Sequence, residues 1–554
     1  MVSMQVLSAA EMQACDRATT ERFGIPSLDL MRAAAAAVAT FARQQFPRAR
    51  RVTVLCGRGN NGGDGMMAAR LLALGGLDVT TLLLGEPGKL TGDALAAWGE
   101  LLASALPGKV HVVETAEELS RHNETFHADL MIDAVLGTGF KPPLKGLALA
   151  ALDWVKTGTS PVLAVDLPSG WPADETAATA TAPFFPADAV ITFTSPKPAH
   201  VFGALTRYWW QPVVVAPIGS PEAAVVSELK ICWAGTALAL VQAPRPAAAH
   251  KGNFGHVLVV GGTMGSAGGK AGAPSMASLA ALRAGAGLVT AAVPAPALAV
   301  VSAIAPELMT WPLAASPLGC ITSENLAPEF VSALMEGKTV LAIGPGLGQS
   351  AETAKFVAGL LSATKIPAVI DADALNILAA KPVLLAKLAK GRTLVLTPHP
   401  GEMARLLGIS TAGVQAHRQQ EARAFARRVG VTLVLKGART LIAHPDGSVT
   451  VNTTGNPGMA KGGSGDVLTG LIAGLLAQHP TEPALAVEAA VYLHGLAADL
   501  AVRTADEHTL LATDGLAQLS QAFRFHTSGP NGYVWLQGMP AAPATTPNLQ
   551  EAAK

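Results

Sequence analysis

The sequence predicts an α/β fold in two domains, and three observations support this prediction. Short apolar runs typical of buried strands recur in both halves, and most are followed by glycine, proline or aspartate. A glycine-rich loop that carries an aspartate near its end follows β-rich sequence in each half, at 60–65 and at 462–466. Between the halves, at 233–250, the pattern dissolves into alanine, proline and arginine. A chain of 554 residues is also too long for one ordinary core.

The composition narrows the possible partners and the location. Half of the residues are hydrophobic and only 14% are charged, against about 25% in typical domains. The 40 basic and 40 acidic residues cancel, so no net charge favours nucleic acid or an anionic membrane as a partner. Four scattered cysteines predict neither a disulfide framework nor a zinc site. The sequence shows no long, strongly apolar run and no signal-peptide pattern, so we expect a cytoplasmic protein without a membrane partner.

The first half alternates predicted strands with predicted helices. The strand candidates are 51–56, 129–135, 161–165 and 189–193, and 66–73 is predicted to be helical. Ligand loops of a parallel sheet lie at the carboxyl ends of its strands. The loops 60–65, 133–139 and 166–170 are therefore expected to converge at one edge of the sheet.

These three loops combine glycines with hard oxygen donors. Glycines permit the close approach of a phosphate-bearing ligand, and asparagine, carboxylate and Ser169 oxygens could hold a cation. The alternative is that the loops are tight turns in which Asp and Asn cap helices. Three such loops in series favour the ligand site.

The run 54–65, which reads Val-Leu-Cys-Gly-Arg-Gly-Asn-Asn-Gly-Gly-Asp-Gly, resembles the signature of the NAD(P)H-hydrate epimerase family. The runs 133–139, 166–170 and 195–198 follow in the family's order. The resemblance implies a Rossmann-like, three-layer domain that interconverts the R and S epimers of hydrated NADH or NADPH. It implies hydrate contacts at Asn60, Asn61, Gly62, Gly63, Asp64, Gly137, Thr138, Gly139, Phe140, Lys141, Pro142, Pro143 and Asp166. It also implies a potassium ion at Asn61, Asp133 and Ser169, and our hypothesis is that Asp166 assists proton movement.

Two positions depart from the pattern of that family. The family often has Leu-Met-Glu near the N-terminus, where this chain has Arg32, and the glycine expected after Lys-Pro is Ala199. These departures support a second interpretation, in which the first half is a noncatalytic binding or scaffold module. The intact loops favour an active epimerase.

The second half restarts the layered pattern after the predicted boundary. Its strand candidates are 256–260, 339–343, 368–370, 393–396 and 431–435. We predict an epimerase domain at 1–228, a linker at 229–249, a second α/β domain at 250–525 and a flexible tail at 526–554.

The loop 462–466 opens a helix and predicts an anion site. Backbone N–H groups and the helix dipole favour a phosphoryl group there, and Asp466 is placed to accept a proton from an attacking hydroxyl. Lys436 could neutralise phosphate charge, and His399 is expected to touch ligand, whereas Glu402 could simply favour a helix start. The residues Asp371, Asp373 and Asn376 either bind a hydrated Mg²⁺ or cap a helix.

The loop 462–466 resembles the anion hole of ribokinase-like kinases. With the runs 250–252, 344–348, 397–402 and 436–437, the sequence is similar to ADP-dependent NAD(P)H-hydrate dehydratases, which have a ribokinase-like fold. The resemblance implies hydrate contacts at Ala273, Gly346, Gly348, His399 and Asp466. It implies nucleotide contacts at Lys436, Gly437, Ala438, Arg439, Thr440 and Gly465. One weaker match is Pro274, where the family usually keeps small apolar residues.

The implied reaction is dehydration driven by a nucleotide. Asp466 deprotonates the ring hydroxyl, which attacks the terminal phosphate of ADP, and loss of phosphate regenerates NAD(P)H with AMP as the other product. We therefore predict a bifunctional repair enzyme whose small-molecule partners are ADP and the hydrates of NADH or NADPH, called NADHX and NADPHX. We also predict that it is a homo-oligomer. The alternative is a ribokinase-like kinase for a small alcohol, fused to a nucleotide-binding domain. The choices between ADP and ATP, and between the NADH and NADPH hydrates, stay open at this point.

Overall fold

The computed structural model describes residues 3–104, 109–122, 127–180, 182–266 and 268–540. They form two compact units, and the chain passes from the first to the second at Leu229–Lys230 and returns at Phe525–His526. The first unit therefore contains both the N-terminal region and the described C-terminal residues.

The first unit is built on an eight-stranded sheet with the order β20-β7-β6-β5-β4-β1-β2-β3. All neighbouring strands are parallel except β7 and β20. The strands are β1 (Arg51–Cys56), β2 (Asp78–Leu84), β3 (Lys109–Val113), β4 (Leu130–Ala134), β5 (Val162–Val165), β6 (Ala189–Phe193), β7 (Val213–Ala216) and β20 (Val534–Gln537). The helices are α1 (Ala9–Glu21), α2 (Ser27–Gln45), α3 (Asn60–Leu74), α4 (Gly92–Ala103), α5 (Ala116–Ser120), α6 (Gly146–Thr157) and α7 (Pro198–Phe202).

Both faces of this sheet are buried, as the continuous apolar runs predicted. Val54 and Ile132 belong to a core shared with α2, α3 and α4, whereas their neighbours Leu55 and Met131 belong to a core shared with α5 and α6. Successive strand residues point to opposite faces. The unit is therefore a three-layer α/β sandwich, and the predicted fold class is confirmed.

The glycine-rich segment 60–65 is the first part of helix α3, not a loop before it. The helix lies so close to the strands that a side chain at Gly62 would overlap the carbonyl of Gly57, and one at Gly65 would overlap Ala134. These two glycines therefore permit close helix–sheet packing, and the polar residues between them are carried at the start of a helix.

The second unit is built on a ten-stranded sheet with the order β13-β12-β9-β14-β15-β16-β17-β18-β19-β8, beside a small β10–β11 hairpin. Its strands are β8 (Ile231–Trp233), β9 (His256–Val260), β10 (Met264–Gly265), β11 (Gly268–Gly269), β12 (Leu288–Pro294), β13 (Met309–Leu313), β14 (Val340–Ile343), β15 (Ala368–Ile370), β16 (Leu394–Leu396), β17 (Thr432–Leu435), β18 (Leu441–Ala443) and β19 (Val449–Val451). Its helices are α8 (Ala239–Gln242), α9 (Gly272–Ala284), α10 (Leu298–Ser302), α11 (Pro328–Met335), α12 (Ala351–Ala363), α13 (Ala372–Ala379), α14 (Pro382–Ala389), α15 (Pro400–Leu407), α16 (Thr411–Ala416), α17 (Arg418–Val429), α18 (Ser464–Gln478), α19 (Pro483–Ala501) and α20 (Ala512–Phe523).

Helix α19 is long and apolar enough to cross a membrane by length and composition alone. However, 78% of its apolar window is buried inside the unit. Helix α19 packs against α18 and α20, as expected for a core helix of a globular domain.

The prediction of a linker at 229–249 is wrong for its first part. Ile231–Trp233 forms β8, which pairs in parallel with β19 at the edge of the second sheet. Trp233 is 2% exposed and donates from Nε1 to Oγ1 of Thr453 at 2.8 Å. This buried contact fixes a strand of three residues that is too short to show periodicity in sequence.

The prediction of a flexible tail at 526–554 is also wrong for its described part, 526–540. Strand β20 pairs antiparallel with β7. Tyr533 and Trp535 pack edge-on against Phe41 of helix α2, with ring centroids 6.4 Å and 6.1 Å apart. The rest of the predicted tail, 541–554, lies outside the described residues.

We expect Trp535→Ala to lower the free energy of unfolding of the first unit by about 3 kcal/mol or more, because a buried aromatic side chain is removed from its core. Chemical denaturation followed by circular dichroism measures this loss. Trp210→Ala is the matched control: Trp210 is 51% exposed, so its loss should change stability by less than about 0.5 kcal/mol. If Trp535→Ala lowers the free energy of unfolding no more than the small change expected for Trp210→Ala, then the burial of Trp535 in β20 does not stabilise the unit.

Candidate active sites

A cavity of about 960 Å³ lies in the first unit, where the predicted loops meet. Strand β4 lies between β1 and β5, so the segments after these three strands are brought to one edge of the sheet. Among the predicted hydrate contacts, the residues that line the cavity are Asn60, Asn61, Asp64, Gly137, Thr138, Gly139, Phe140 and Asp166. Gly62 and Gly63 are buried by packing instead, and Lys141, Pro142 and Pro143 do not line it.

Asp166 is held by four hydrogen-bond donors. Its Oδ2 accepts from the backbone N–H of Thr138 at 2.7 Å and from the Thr138 hydroxyl, and its Oδ1 accepts from Lys197 Nζ and Thr192 Oγ1, each at 2.9 Å. Burial alone would raise the pKa of Asp166, but the charge of Lys197 and these donors hold it well below the usual range. Asp166 is therefore a fixed anion, which disfavours the proton-moving role that we predicted for it.

Lys197 is the cation that balances this anion, and it is 2% exposed. Its backbone N–H donates to Nδ1 of His200 at 2.9 Å, so Nε2 of His200 carries the hydrogen that it donates to the carbonyl of Asp166 at 2.7 Å. Burial and the nearby Lys197 lower the pKa of His200 to about 4, and the imidazole stays neutral. The sequence motif that contains Lys197 was noted, but its role was not predicted.

Two further carboxyl groups line the same cavity. Asp64 on α3 and Asp16 on α1 are both half-buried, and neither side chain has a hydrogen-bond partner among the described residues. Burial, together with the charges of Asp166, Asp16 and Asp93, raises the pKa of Asp64 well above its usual value. The sequence analysis did not identify Asp16 as a site residue, because it lies in helix α1, far in sequence from the glycine-rich motifs.

The predicted potassium ligands are only partly assembled. Ser169 donates from Oγ to Oδ1 of Asp133 at 2.6 Å and from its backbone N–H to Oδ2 at 2.8 Å. Burial raises the pKa of Asp133 to about 6, despite those hydrogen bonds. The side-chain nitrogen of Asn61 is buried and unpartnered within the described chain. The unpartnered nitrogen of Asn61 is a hydrogen-bond donor and cannot ligate a cation. The side-chain oxygens of Asn61, Asp133 and Ser169 are the type of donor that fits a monovalent ion, and the potassium site stays a prediction.

The two departures from the epimerase pattern leave the cavity intact. Arg32 lies at the surface and pairs with Asp29 at 3.0 Å and with Glu100 at 2.7 Å. Ala199 is buried, and its N–H donates to the carbonyl of Ala173. Neither residue lines the cavity.

The second site lies at the carboxyl ends of β14, β15, β16 and β17, which are parallel neighbours in this order. Asp371, directly after β15, is 1% exposed. Its Oδ1 accepts from Lys436 Nζ at 2.9 Å and from Thr397 Oγ1 at 2.8 Å, and its Oδ2 accepts from Thr469 Oγ1 at 2.9 Å. Asp371 thus fixes Lys436, and it makes no capping hydrogen bond to α13.

The predicted magnesium ligands do not converge. Asp373 accepts from the N–H of Gly348 and from Gln349 Nε2, each at 2.8 Å, whereas Asn376 accepts from Arg405 at 3.0 Å. Asp371 is occupied by Lys436. No group of three or more His, Cys, Asp or Glu side chains within the described ranges is placed to hold a metal ion. The residues present do not form a protein cage for Mg²⁺.

Asp466 lies in the first turn of α18, next to Lys436 and Asp371. Burial and the charge of Asp371 raise its pKa to about 6, while Lys436 acts in the opposite direction. Its carboxyl has no hydrogen-bond partner in the described part of the chain, so it is available to a ligand. A side chain at Gly465 would lie 3.4 Å from Lys436 Nζ, and its absence leaves space for an anion beside the helix start.

His399 lies shortly after the carboxyl end of β16 and has a structural role, while its predicted contact with ligand stays a prediction. It caps helix α15: its Nδ1 accepts from the N–H of Gly401 at 3.0 Å. The backbone N–H of His399 donates to Oε2 of Glu402 at 2.8 Å. The His399 side chain is 53% exposed, so its ring presents a face to solvent. Glu402 is buried and lies 3.9 Å from Lys436 Nζ.

The predicted nucleotide segment 436–440 is a bent loop. Gly437 and Arg439 have φ values of 137° and 55°, and the Thr440 hydroxyl donates to the carbonyl of Gly437 at 2.9 Å. Arg418 donates from Nη1 to the carbonyl of Ala438 at 2.6 Å. Arg418 was missed in the sequence because its position at the start of helix α17 carries no motif.

The remaining predicted hydrate contacts, Ala273, Gly346 and Gly348, lie close to the sheet edge. Gly346 has a φ of 67°, and a side chain there would lie 3.2 Å from Cβ of Ala273. Gly348 is fixed by Asp373. Pro274 lies in the first turn of α9, where a proline is tolerated. Gly346 and Ala273 are thus neighbours at this edge, and the hydrate contacts stay a prediction.

Fold and sites together define a two-domain α/β enzyme with ligand sites at the carboxyl ends of parallel strands. A family model for NAD(P)H-hydrate dehydratase matches residues 257–521. A second model, for the YjeF-related protein N-terminus, matches residues 27–199.

Curated relatives match nearly the whole chain. The bifunctional NAD(P)H-hydrate repair enzyme Nnr of Moorella thermoacetica is 40% identical over 94% of this chain and 97% of that protein. The enzyme of the same name from Escherichia coli is 36% identical over 93% of each chain. The chain belongs to the family of bifunctional NAD(P)H-hydrate repair enzymes. A crystal structure of ADP/ATP-dependent NAD(P)H-hydrate dehydratase from Bacillus subtilis, co-crystallised with ATP/Mg²⁺, is 33% identical over 52% of this chain and 96% of that chain, with a TM-score of 0.43.

Proposed function

We propose that the first unit epimerises hydrated NAD(P)H and that the second unit dehydrates the S form, with ADP as the phosphoryl donor and AMP and phosphate as products. The observation that carries this proposal is that the chain matches bifunctional relatives almost end to end and has a candidate site in each unit. The alternative of a small-alcohol kinase is not favoured, because the dehydratase model covers the whole second site.

Three groups of the second site support the phosphoryl-transfer step. The unpartnered carboxyl of Asp466 takes the proton of the ring hydroxyl, whose oxygen attacks the terminal phosphorus of the nucleotide. Lys436, fixed by Asp371 at 2.9 Å, and the N–H groups at the start of α18 stabilise the charge on the phosphoryl oxygens. Elimination of phosphate then restores the double bond of the dihydronicotinamide.

Cofactor binding differs between the two units. In the first, Asn61, Asp133 and Ser169 would hold K⁺, which supplies a fixed positive charge. In the second, the protein residues do not form a cage, and Mg²⁺ is expected to arrive with the phosphates of the nucleotide, its usual mode of binding. The homo-oligomeric state and the cytoplasmic location stay predictions.

The test is incubation of the purified chain with mixed-epimer NADH hydrate, with ADP or ATP, while the recovery of dihydronicotinamide absorbance is followed. We expect full recovery, because the epimerase converts the R form that the dehydratase cannot use. Recovery of about half would show an inactive first unit, and phosphorylated product without dehydration would favour the kinase.

A further inference from the structure

The cavity of the first unit contains one carboxylate that is fully hydrogen-bonded, Asp166, and further carboxyl groups that are not, including Asp64 and Asp16. Asp166 accepts from four donors, two on each carboxyl oxygen. A carboxylate has about four lone-pair positions, so Asp166 has none left for substrate. Asp64 lines the same cavity and has no hydrogen-bond partner within the described ranges. We propose that Asp64 is the proton donor and acceptor of the epimerisation, and that Asp166 with Lys197 is its fixed electrostatic support; this inference rests on the proposed function.

The charges around Asp64 favour its neutral form. Asp16 faces it from α1, Asp93 from α4 and Asp166 from the segment after β5, whereas Lys197 is the opposing cation. Arg58, before α3, also lines the cavity. Burial is the main reason that the pKa of Asp64 is raised. Because Lys197 is paired with Asp166 at 2.9 Å, these two opposite charges partly cancel. The charges of Asp16 and Asp93 then add to the effect of burial. The pKa of Asp64 is thus raised while that of Asp166 is lowered. In enzymes, such a pair usually consists of a proton donor, here Asp64, and a carboxylate that stays charged, here Asp166.

The proposed step balances without an added reactant. Water adds to an enamine at the carbon next to nitrogen, so the hydrate has its hydroxyl on the ring carbon beside the ring nitrogen. Asp64 gives its proton to that oxygen, the C–O bond breaks, water leaves, and the nitrogen lone pair forms a C=N bond. Water then attacks the opposite face, the C=N electrons return to nitrogen, and one proton of that water goes back to Asp64. The carboxylates of Asp166 and Asp64 offset the positive charge of the intermediate.

The test uses the full chain and a single purified epimer, without nucleotide, so that the second unit is idle. Chromatography follows the appearance of the other epimer above the spontaneous rate. We expect Asp64→Asn to lower kcat by about 100-fold or more, the usual contribution of a general acid, with KM within about threefold. The wild-type kcat should fall as pH rises, because the donor loses its proton, and Asp64→Asn should lose this decline.

Three further variants make the test specific. Asp78→Asn changes an exposed aspartate at the start of β2 and should keep the wild-type rate. Asp64→Glu, which keeps a carboxyl, should recover most of the lost rate. Asp16→Asn should cost less than about tenfold. Urea denaturation followed by circular dichroism shows that the first unit of each variant is folded, and the dehydratase activity with the S epimer and ADP shows that the second unit is unaffected.

Two results overturn the role of Asp64 alone: Asp64→Asn within about threefold of the wild-type rate, or the full loss appearing in Asp16→Asn instead. A wild-type chain that does not interconvert the epimers overturns the proposed epimerase and this role together. The two failures are therefore distinguishable in one assay.

Discussion

Asp466→Asn should lower the dehydratase turnover by about 10²–10⁴-fold, the contribution of a positioned general base, while nucleotide binding is unchanged. Asparagine has the shape of aspartate but cannot accept the proton of the ring hydroxyl. The anion site stays intact, because Lys436 is held by Asp371 at 2.9 Å and the start of α18 needs no carboxylate. Calorimetric titration with ADP and the recovery of dihydronicotinamide absorbance measure the two quantities separately.

The pH dependence of the dehydratase turnover is a second test of Asp466 as the base. The pKa of Asp466 is raised to about 6, and a base works in its ionised form, so turnover should rise with pH through about 6. The Asp466→Asn variant should lose that rise. Burial and Asp371 also disfavour the ionised carboxylate in the folded state, so this variant should be at least as stable as the wild type at pH 7.5.

Glu329→Gln, an equally conservative change at an exposed position of α11, is the control for Asp466→Asn. It should alter neither turnover nor nucleotide binding. Turnover of Asp466→Asn within about threefold of the wild type would exclude Asp466 as the base. A parallel loss of ADP binding would instead assign it to nucleotide recognition.

The strands and loops that hold both sites were predictable because their signals are local. Runs such as 51–56 and 368–370 are apolar and end at glycine or aspartate, and this pattern alone predicts a buried parallel strand. The strands β8 and β20 were missed because each lies in a stretch that reads as a linker or a tail and pairs with a strand far away in sequence. Their stability comes from the burial of Trp233 and Trp535, which no local pattern reveals.

The chemistry of individual carboxyl groups was less predictable, since it depends on which side chains meet in space. From the sequence, Asp371 was predicted to be either a magnesium ligand or a helix cap. In the structure it forms an ion pair with Lys436. It assigned proton movement to Asp166, which is saturated by donors that include Lys197, 31 residues away in sequence. An ion pair across such a separation becomes visible only when the sheet brings both residues to one edge.

Asp166→Ala should abolish epimerisation and lower the free energy of unfolding of the first unit by about 3–5 kcal/mol. The physical reason for the loss of stability is that Lys197, 2% exposed, is left as a buried charge without its partner. Urea denaturation followed by circular dichroism measures stability, and interconversion of a purified epimer without nucleotide measures activity. The dehydratase activity of the same chain is the control, because the second unit is not altered.

The double variant Asp166→Ala/Lys197→Met separates the two effects. Removing both charges eliminates the unpaired cation, so most of the lost stability should return, as it often does when a buried ion pair is replaced by apolar groups. Activity should not return, because the anion that supports the reacting ring is still absent. If the two substitutions instead destabilise the unit additively, the 2.9 Å pair does not couple the residues energetically. If the double variant recovers epimerisation, the fixed anion is not needed for the chemistry, and the cavity acts through Asp64 alone.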